Sequence, residues 1–183
     1  LLAMENEAEL AAVLGHELGH VNARHGAERM SKILLAGALV AGTALYLQSE
    51  HEDVAPLAVA LGGLGSTLLL AHYSRDNERQ ADALGIEYMT RTGYAPEGMV
   101  GLMDMLVGLH DREPNVLEAM FSTHPMSRER YRTAVEAARS LPAASADASL
   151  NRQRYMDRTA SLRAMAPAVE ALQNGNRDMA AGE

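Results

Sequence analysis

One short segment near the start of the chain constrains the fold more than any other, because it carries two histidines four residues apart. The sequence His16-Glu17-Leu18-Gly19-His20 lies inside a stretch, from about residue 5 to residue 30, with apolar residues at three- and four-residue spacing. That spacing predicts a helix with one apolar stripe. The stripe consists of Leu10, Val13, Leu14, Leu18 and Val21. Side chains four positions apart project from the same helix face, so the two imidazoles point at one place in space.

Two glycines, Gly15 and Gly19, stand inside this predicted helix. Each costs roughly 1 kcal/mol relative to alanine in a helix interior. We expect the compensation to be the close approach of another segment to that face.

The composition favours helices over strands. The chain has 183 residues, enough for one domain with a sizeable core, and 48% of them are hydrophobic. Aromatic residues are scarce, with one Phe, six Tyr and no Trp, so Leu, Ala, Val and eleven Met must fill the core. These residues predict a mainly α fold. A net charge of −8 argues against nucleic-acid binding.

Two apolar runs follow, at residues 33–47 and 54–70. A membrane span needs about 20 apolar residues. The first run is shorter, and Gly62, Gly63 and Gly65 interrupt the second. The pattern favours buried or amphipathic helices of a soluble protein, or a surface that meets membrane or a partner. A membrane-embedded protein is the alternative.

Further helices are predicted at residues 75–90, 98–109, 127–140 and 151–173. Pro, Ala, Ser and Asp make residues 141–149 a predicted linker, and residues 174–183 a predicted frayed tail. This indicates a main domain at residues 1–140, followed by a linker, a C-terminal helix and a tail at residues 141–183.

The paired histidines indicate a metal site. The chain has no cysteine, so a tightly held metal needs His, Asp or Glu ligands. His16 and His20 can both reach one zinc ion, whereas Glu17, rotated about 100° from His16, is better placed to act as a general base. Glu78 is the strongest candidate for a third ligand. Asp82, four residues later, can accept the outer N–H of a ligating histidine. Solvated helix faces are the alternative interpretation of both segments.

Three motifs, in order along the chain, resemble those of the M48 zinc metallopeptidases. They are Gly15-His16-Glu17-Leu18-Gly19-His20-Val21 with Ala23-Arg24-His25, then Tyr73-Ser74-Arg75 with Glu78, Ala81 and Asp82, then Ser122-Thr123-His124-Pro125 with Arg130. The resemblance covers roughly residues 5–131. It is strongest to the soluble bacterial envelope branch of the family, the BepA-like periplasmic peptidases.

The resemblance implies a zincin-like core of the gluzincin type. His16, His20 and Glu78 would bind one Zn²⁺ per chain, Glu17 would be the general base, and Asp82 would support a ligand. It also draws attention to His124, which would stabilise the oxyanion or occupy the open zinc position in a resting form. Arg130 would support that loop or bind substrate. Any small β-sheet is expected mainly in a segment upstream of the first motif, so the chain resembles an N-terminally truncated domain.

The expected function is that of a zinc metalloendopeptidase in the bacterial periplasm or cell envelope. Its partners would be unfolded or misassembled envelope proteins, with peripheral association with membrane or envelope assembly machinery. The alternative is a zinc-dependent, chaperone-like binding module whose metal is plugged by His124. The remaining histidines match no ligand position and are expected to be structural or solvated, with His25 pointing elsewhere. They are His25, His51, His72 and His110.

Overall fold

The computed structural model describes residues 2–50, 56, 59, 60, 62, 63, 73–109, 124, 127–140 and 149–181. Six helices account for most of these residues, which confirms the mainly α fold. They are α1 (Glu7–Asn22), α2 (His25–Glu50), α3 (Arg75–Arg91), α4 (Glu97–Leu109), α5 (Arg128–Ser140) and α6 (Arg152–Ala181). Within the described ranges the only β-structure is an isolated parallel bridge between Tyr94 and Ser149. The upstream β-sheet stays a prediction.

The first helix begins at an asparagine cap and ends earlier than its apolar pattern predicts. The side chain of Asn6 accepts a hydrogen bond of 2.9 Å from the backbone N–H of Glu9, which satisfies a free amide of the first turn. The helix stops at Asn22, and Arg24 has a φ of 58°. The single helix predicted up to residue 30 is therefore wrong. The left-handed residue is an arginine rather than a glycine, so the sequence carried no stop signal.

The buried face of α1 is not its most apolar face. Leu14, Leu18 and Val21 of the predicted stripe are 55%, 56% and 72% exposed, although Val13 is buried. Small residues and the two histidines are buried instead: Ala8, Ala12, Gly15, His16, Gly19 and His20. The predicted apolar stripe is wrong in the C-terminal half of α1, because the backbone of a neighbouring helix, α3, comes too close there for a leucine side chain to fit.

The expected close approach to the glycines is made by α3. A Cβ added to Gly15 would lie 2.9 Å from the carbonyl oxygen of Gly85, and one added to Gly19 would lie 2.9 Å from that of Ala81. These neighbours are backbone atoms, which cannot move aside as a side chain can. The glycines therefore allow the backbones of α1 and α3 to touch along the buried face.

Methionines fill the space that aromatic residues fill in most cores. Three methionines are at most 1% exposed to solvent: Met89 of α3, and Met99 and Met103 of α4. Ala134 of α5 and Tyr155 of α6 join the same cluster, so α6 packs on the helices that precede it. The domain boundary near residue 140 stays a prediction.

Helix α6 continues to Ala181, so the frayed tail predicted from residue 174 is wrong for the residues described.

Helix α2 stands largely free of the core. Its segment His25–Ser49 is long and apolar enough to cross a membrane, and none of its most apolar 18-residue window is buried. Leu34, Leu35 and Leu39 are 67%, 63% and 64% exposed. The interpretation of the first apolar run as a buried helix is therefore wrong. Most of the second apolar run lies outside the described residues. Gly62 is described, and a Cβ added to it would lie 2.9 Å from Val40 Cγ2 of α2.

Replacing Gly15 with alanine should destabilise the protein, although alanine is the better helix former. The new Cβ would meet the Gly85 backbone, and overpacking of this kind costs typically 1–3 kcal/mol. Gly37→Ala in α2 is the matched control, since a Cβ there meets nothing within 4 Å, and it should be neutral or stabilising. Urea unfolding of both variants measures the difference. Equal effects would show that the α1–α3 contact can widen freely.

Candidate metal centre

Four side chains from three parts of the chain converge at one buried point. They are His16 and His20 of α1, Glu78 of α3, and His124, which precedes α5. One ligand atom from each lies within 4.8 Å of the others, and all four residues are buried. The structure thus brings together the three sequence-derived ligand candidates and the histidine to which the family resemblance pointed.

The local sequence explains how α3 supplies its part. Ser74 caps this helix by accepting from the backbone N–H of Asn77, and Glu78 and Asp82 follow on one face at a spacing of four. The glycine contact described above sets that face against the histidines of α1. As a result Glu78 has no exposed surface and Asp82 only 5%.

The spacing of the converging atoms fits a metal ion. His16 Nε2 lies 3.1 Å from His20 Nε2, 3.3 Å from His124 Nδ1 and 3.6 Å from Glu78 Oε2. Glu78 Oε1 lies 3.4 Å from His20 Nε2 and 2.8 Å from His124 Nδ1. In a tetrahedral zinc site with bonds of about 2.0–2.1 Å, ligand atoms are about 3.3 Å apart. Three imidazole nitrogens and a carboxylate also have the donor types that such a site uses.

Glu78 keeps an oxygen directed at this point. Its Oε2 is buried and receives no hydrogen bond from any described residue, although Arg130 Nη1 lies 2.7 Å away as an ion pair. Arg130 thus already compensates the charge on Oε2. The other oxygen, Oε1, lies 3.4 Å from His20 Nε2 and 2.8 Å from His124 Nδ1, so a cation held there would be bound by the carboxylate and both imidazoles.

Asp82 and Arg130 form the support behind His16. His16 Nδ1 is 2.9 Å from Asp82 Oδ1. The guanidinium of Arg130 donates to both Asp82 oxygens, with Nε 2.7 Å from Oδ2 and Nη2 2.8 Å from Oδ1. This bidentate pair fixes the carboxylate, and the carboxylate fixes the imidazole. Arg130, the third residue of α5, is only 5% exposed and therefore lies at the candidate metal centre rather than on the surface.

The charges in this group stabilise one another. Burial raises the pKa of Glu78, but hydrogen bonds from His124 and His20 and the charge of Arg130 outweigh it, and the pKa falls from 4.5 to about 2. Burial also raises the pKa of Asp82, yet hydrogen bonds from Arg130 and His16 leave it below its ordinary value. Both carboxylates are therefore ionised at neutral pH, as metal binding requires.

Glu17 lies at the open side of the cluster. Its side chain is 43% exposed, and its Oε1 lies 3.8 Å from His124 Nε2. The ring of Tyr73 forms a wall here, with centroids 4.3 Å from His20 and 5.2 Å from His124. Glu17 is thus the carboxylate of this group that solvent can reach.

His25 is a site residue that the sequence reasoning missed. It is not one of the four converging residues, as expected, but it lies directly behind one of them: it is buried, with Nδ1 3.0 Å from His20 Nδ1 and Nε2 3.0 Å from Gln80 Oε1. The left-handed Arg24 turns the chain back so that the first residue of α2 meets α1. No residue type in the sequence signals that turn. His51, His72 and His110 lie outside the described residues.

A buried His-His-Glu-His cluster beside a glutamate has the donor set of a metal-dependent hydrolase, and comparison with known proteins names the family. The chain belongs to peptidase family M48, whose model matches residues 1–138.

Three relatives illustrate the relationship. The chain is 31% identical over 134 residues to the metalloprotease YcaL of Escherichia coli, covering 71% of this chain and 49% of that protein. It is 30% identical over 135 residues to the beta-barrel assembly-enhancing protease of Escherichia coli, covering 69% and 26%. It is 30% identical over 131 residues to the Escherichia coli metalloprotease LoiP, covering 71% and 49%. The chain thus spans about half or less of these curated relatives. No solved structure gives a significant match.

Removing the charge of Arg130 should destabilise the metal-free protein strongly. Arg130→Met leaves Glu78 and Asp82 ionised and buried without their cation, and breaking a buried pair costs about 3–5 kcal/mol. Arg79→Met is the matched control, because Arg79 pairs with Glu129 and Asp76 on the surface, where such pairs contribute about 0–1 kcal/mol. Urea unfolding with a chelator present compares the two. Similar losses would contradict a central role for the Arg130 charge.

Proposed function

We propose that this chain is the catalytic domain of a zinc-dependent metalloendopeptidase. The observation that supports this best is the convergence of His16, His20 and Glu78 on one point, with Glu17 at its open side. A His-His-Glu set favours zinc among divalent ions. We assign one Zn²⁺ per chain to these three residues.

A bound zinc ion would supply Lewis acidity, which activates water as a nucleophile near neutral pH. The Glu17 carboxylate takes a proton from the water whose oxygen attacks the peptide carbonyl carbon. Glu17 then passes that proton to the amine nitrogen as the carbon–nitrogen bond breaks. During these steps Asp82 Oδ1 holds His16 Nδ1 at 2.9 Å, and Arg130 Nε in turn donates to Asp82 Oδ2 at 2.7 Å.

His124 supports a resting form of the same site. Its Nδ1 lies among the ligand atoms, 3.3 Å from His16 Nε2, whereas its Nε2 faces Glu17 at 3.8 Å. In this arrangement we assign it to the fourth ligand position. Withdrawal of the ring would open that position to a substrate, and His124 could then donate to the oxyanion.

The same observation favours an alternative function. If His124 stays in place, the domain is a zinc-dependent, chaperone-like binding module with little proteolysis. The metal would then stabilise the fold by connecting α1, α3 and the segment before α5.

We propose unfolded or misassembled envelope proteins as substrates, and the bacterial periplasm or cell envelope as the location. The proposal draws on the relatives, one of which is named as a beta-barrel assembly-enhancing protease. A net charge of −8 speaks against nucleic acid as a partner.

Helix α2 supports an association with lipid. Its 25-residue segment has a mean hydropathy of 1.6 over its most apolar window. At 1.5 Å per residue it would be about 37 Å long, against about 30 Å for the hydrocarbon core of a bilayer. Its exposed leucines, Leu34, Leu35, Leu39 and Leu45, lie within about 140° of the helix circumference and form one broad apolar face that could rest on lipid.

Glu17→Gln should abolish cleavage of a denatured protein substrate while leaving zinc bound. Loss of a general base typically lowers the rate by about 10²–10⁴-fold. His16→Ala should lose both zinc and cleavage, and Glu87→Gln, which removes an exposed carboxylate on α3, should change neither. Cleavage is followed by gel electrophoresis and zinc by elemental analysis. If Glu17→Gln keeps substrate binding and biological function while His16→Ala loses them, the binding module is the correct interpretation.

The protein should float with vesicles of neutral phosphatidylcholine, chosen because the acidic chain would be repelled by anionic lipid. Leu35→Glu combined with Leu39→Glu, on one face of α2, should leave it in the soluble fraction. Lys32→Gln, at the start of the same helix, is the control and should float like the wild type. Flotation is measured in a density gradient. A wild type that stays at the bottom would refute the lipid association.

A further inference from the structure

The two α1 histidines are supported from behind in different ways. His16 is backed by the Asp82 carboxylate at 2.9 Å, which Arg130 holds. His20 has no carboxylate at its outer nitrogen among the described residues; its Nδ1 faces His25 Nδ1 at 3.0 Å. His25 in turn has its Nε2 3.0 Å from Gln80 Oε1. His20 and His25 are 4% and 2% exposed, so water does not easily replace either partner.

The direction of each hydrogen bond in this chain is determined by its outer end. The amide oxygen of Gln80 can only accept, so His25 Nε2 carries the hydrogen and donates to it. The Nδ1 of a neutral His25 is then an acceptor, and His20 Nδ1 donates to it. With zinc bound, His20 would therefore present the lone pair of its Nε2 to the ion. In the metal-free site the same nitrogen lies 3.4 Å from Glu78 Oε1, to which it donates, and 3.1 Å from His16 Nε2.

We propose that His25 and Gln80 are positioning residues that hold His20 in its metal-binding tautomer and orientation. This inference rests on the proposed zinc site. His25 touches neither metal nor substrate in this arrangement; it acts through His20. Ring packing strengthens the constraint, because the His25 ring stands at 76° to the His20 ring with centroids 4.8 Å apart, and Tyr73 covers His20 at 4.3 Å.

The fold supports this role by the way it places His25. The left-handed Arg24 breaks the chain between α1 and α2, so that His25 begins a new helix and turns back onto the helix it follows. Gln80 lies on α3, two residues from each of Glu78 and Asp82. One short segment of α3 therefore supports both histidines, through Asp82 for His16 and through Gln80 for His20.

The test measures zinc affinity of the full 183-residue chain by competition with a chromophoric chelator. His25→Leu removes the acceptor while keeping an apolar volume, and should weaken zinc binding about 10–100-fold. His25→Asn places an oxygen at the position of Nδ1 and should restore most of the affinity. Lys32→Gln, on the same helix but paired with exposed Glu28, is the control and should bind as the wild type does.

Two further measurements separate positioning from a structural role. Gln80→Leu should weaken zinc binding by a smaller factor in the wild type and by none in the His25→Leu background, since the hydrogen bond it breaks is already gone. In ¹⁵N-resolved NMR of the zinc-loaded protein, the His20 Nδ1–H should be slow to exchange in the wild type and in His25→Asn, and exchange-broadened in His25→Leu. Unfolding of the metal-free variants checks that each still folds.

The outcomes distinguish this inference from the function on which it rests. A wild type that binds no zinc overturns both the proposed function and the role of His25. A wild type that binds zinc, with His25→Leu binding equally well, overturns the role of His25 alone. Equal losses in His25→Asn and His25→Leu, or additive losses with Gln80→Leu, would also overturn it.

Discussion

The backbone contact between α1 and α3 is the constraint on which the rest of the structure depends. Gly15 and Gly19 meet Gly85 and Ala81 so closely that a single added methyl group would reach 2.9 Å from a carbonyl oxygen. Such an approach places the first atoms of each side chain within a few ångströms of the other helix. Short side chains such as aspartate and histidine can then interact across the interface without bending either helix. The two glycines weaken helix α1 locally, and the close contact with α3 that they allow compensates for that cost.

Charge balance is the second constraint, and it follows from the first. The close packing buries Glu78 completely and Asp82 almost completely, and both remain ionised because Arg130 and the histidines stabilise them. One guanidinium against two carboxylates leaves a net negative charge in a region of low dielectric. A divalent cation between the histidines would neutralise it, and metal binding and folding are then coupled through the same residues.

The parts of the site that sequence could predict are those encoded by local spacing. A separation of four positions on a helix was enough to pair His16 with His20 and Glu78 with Asp82, because helix geometry alone determines their shared face. His124 lies 108 positions from His16, and no local rule connects them, so only the family motif pointed to it.

The errors have equally physical causes. The hydrophobic period identified a leucine face on α1, but backbone contact selected the face with the smallest residues. The turn at Arg24 was missed because a non-glycine residue adopts a left-handed conformation only when tertiary contacts hold it there. His25, which that turn places, was missed with it.

The different supports of the two histidines have a consequence for how the site responds to its metal. Asp82 is ionised and anchored by two hydrogen bonds from Arg130, so it makes His16 a more basic and more rigid ligand than a neutral partner would. His20 donates instead to an uncharged ring, so it contributes less electron density and depends more on geometry. Had both histidines been backed by carboxylates, the site would hold a third buried negative charge beside Glu78. A neutral partner at His20 avoids that repulsion.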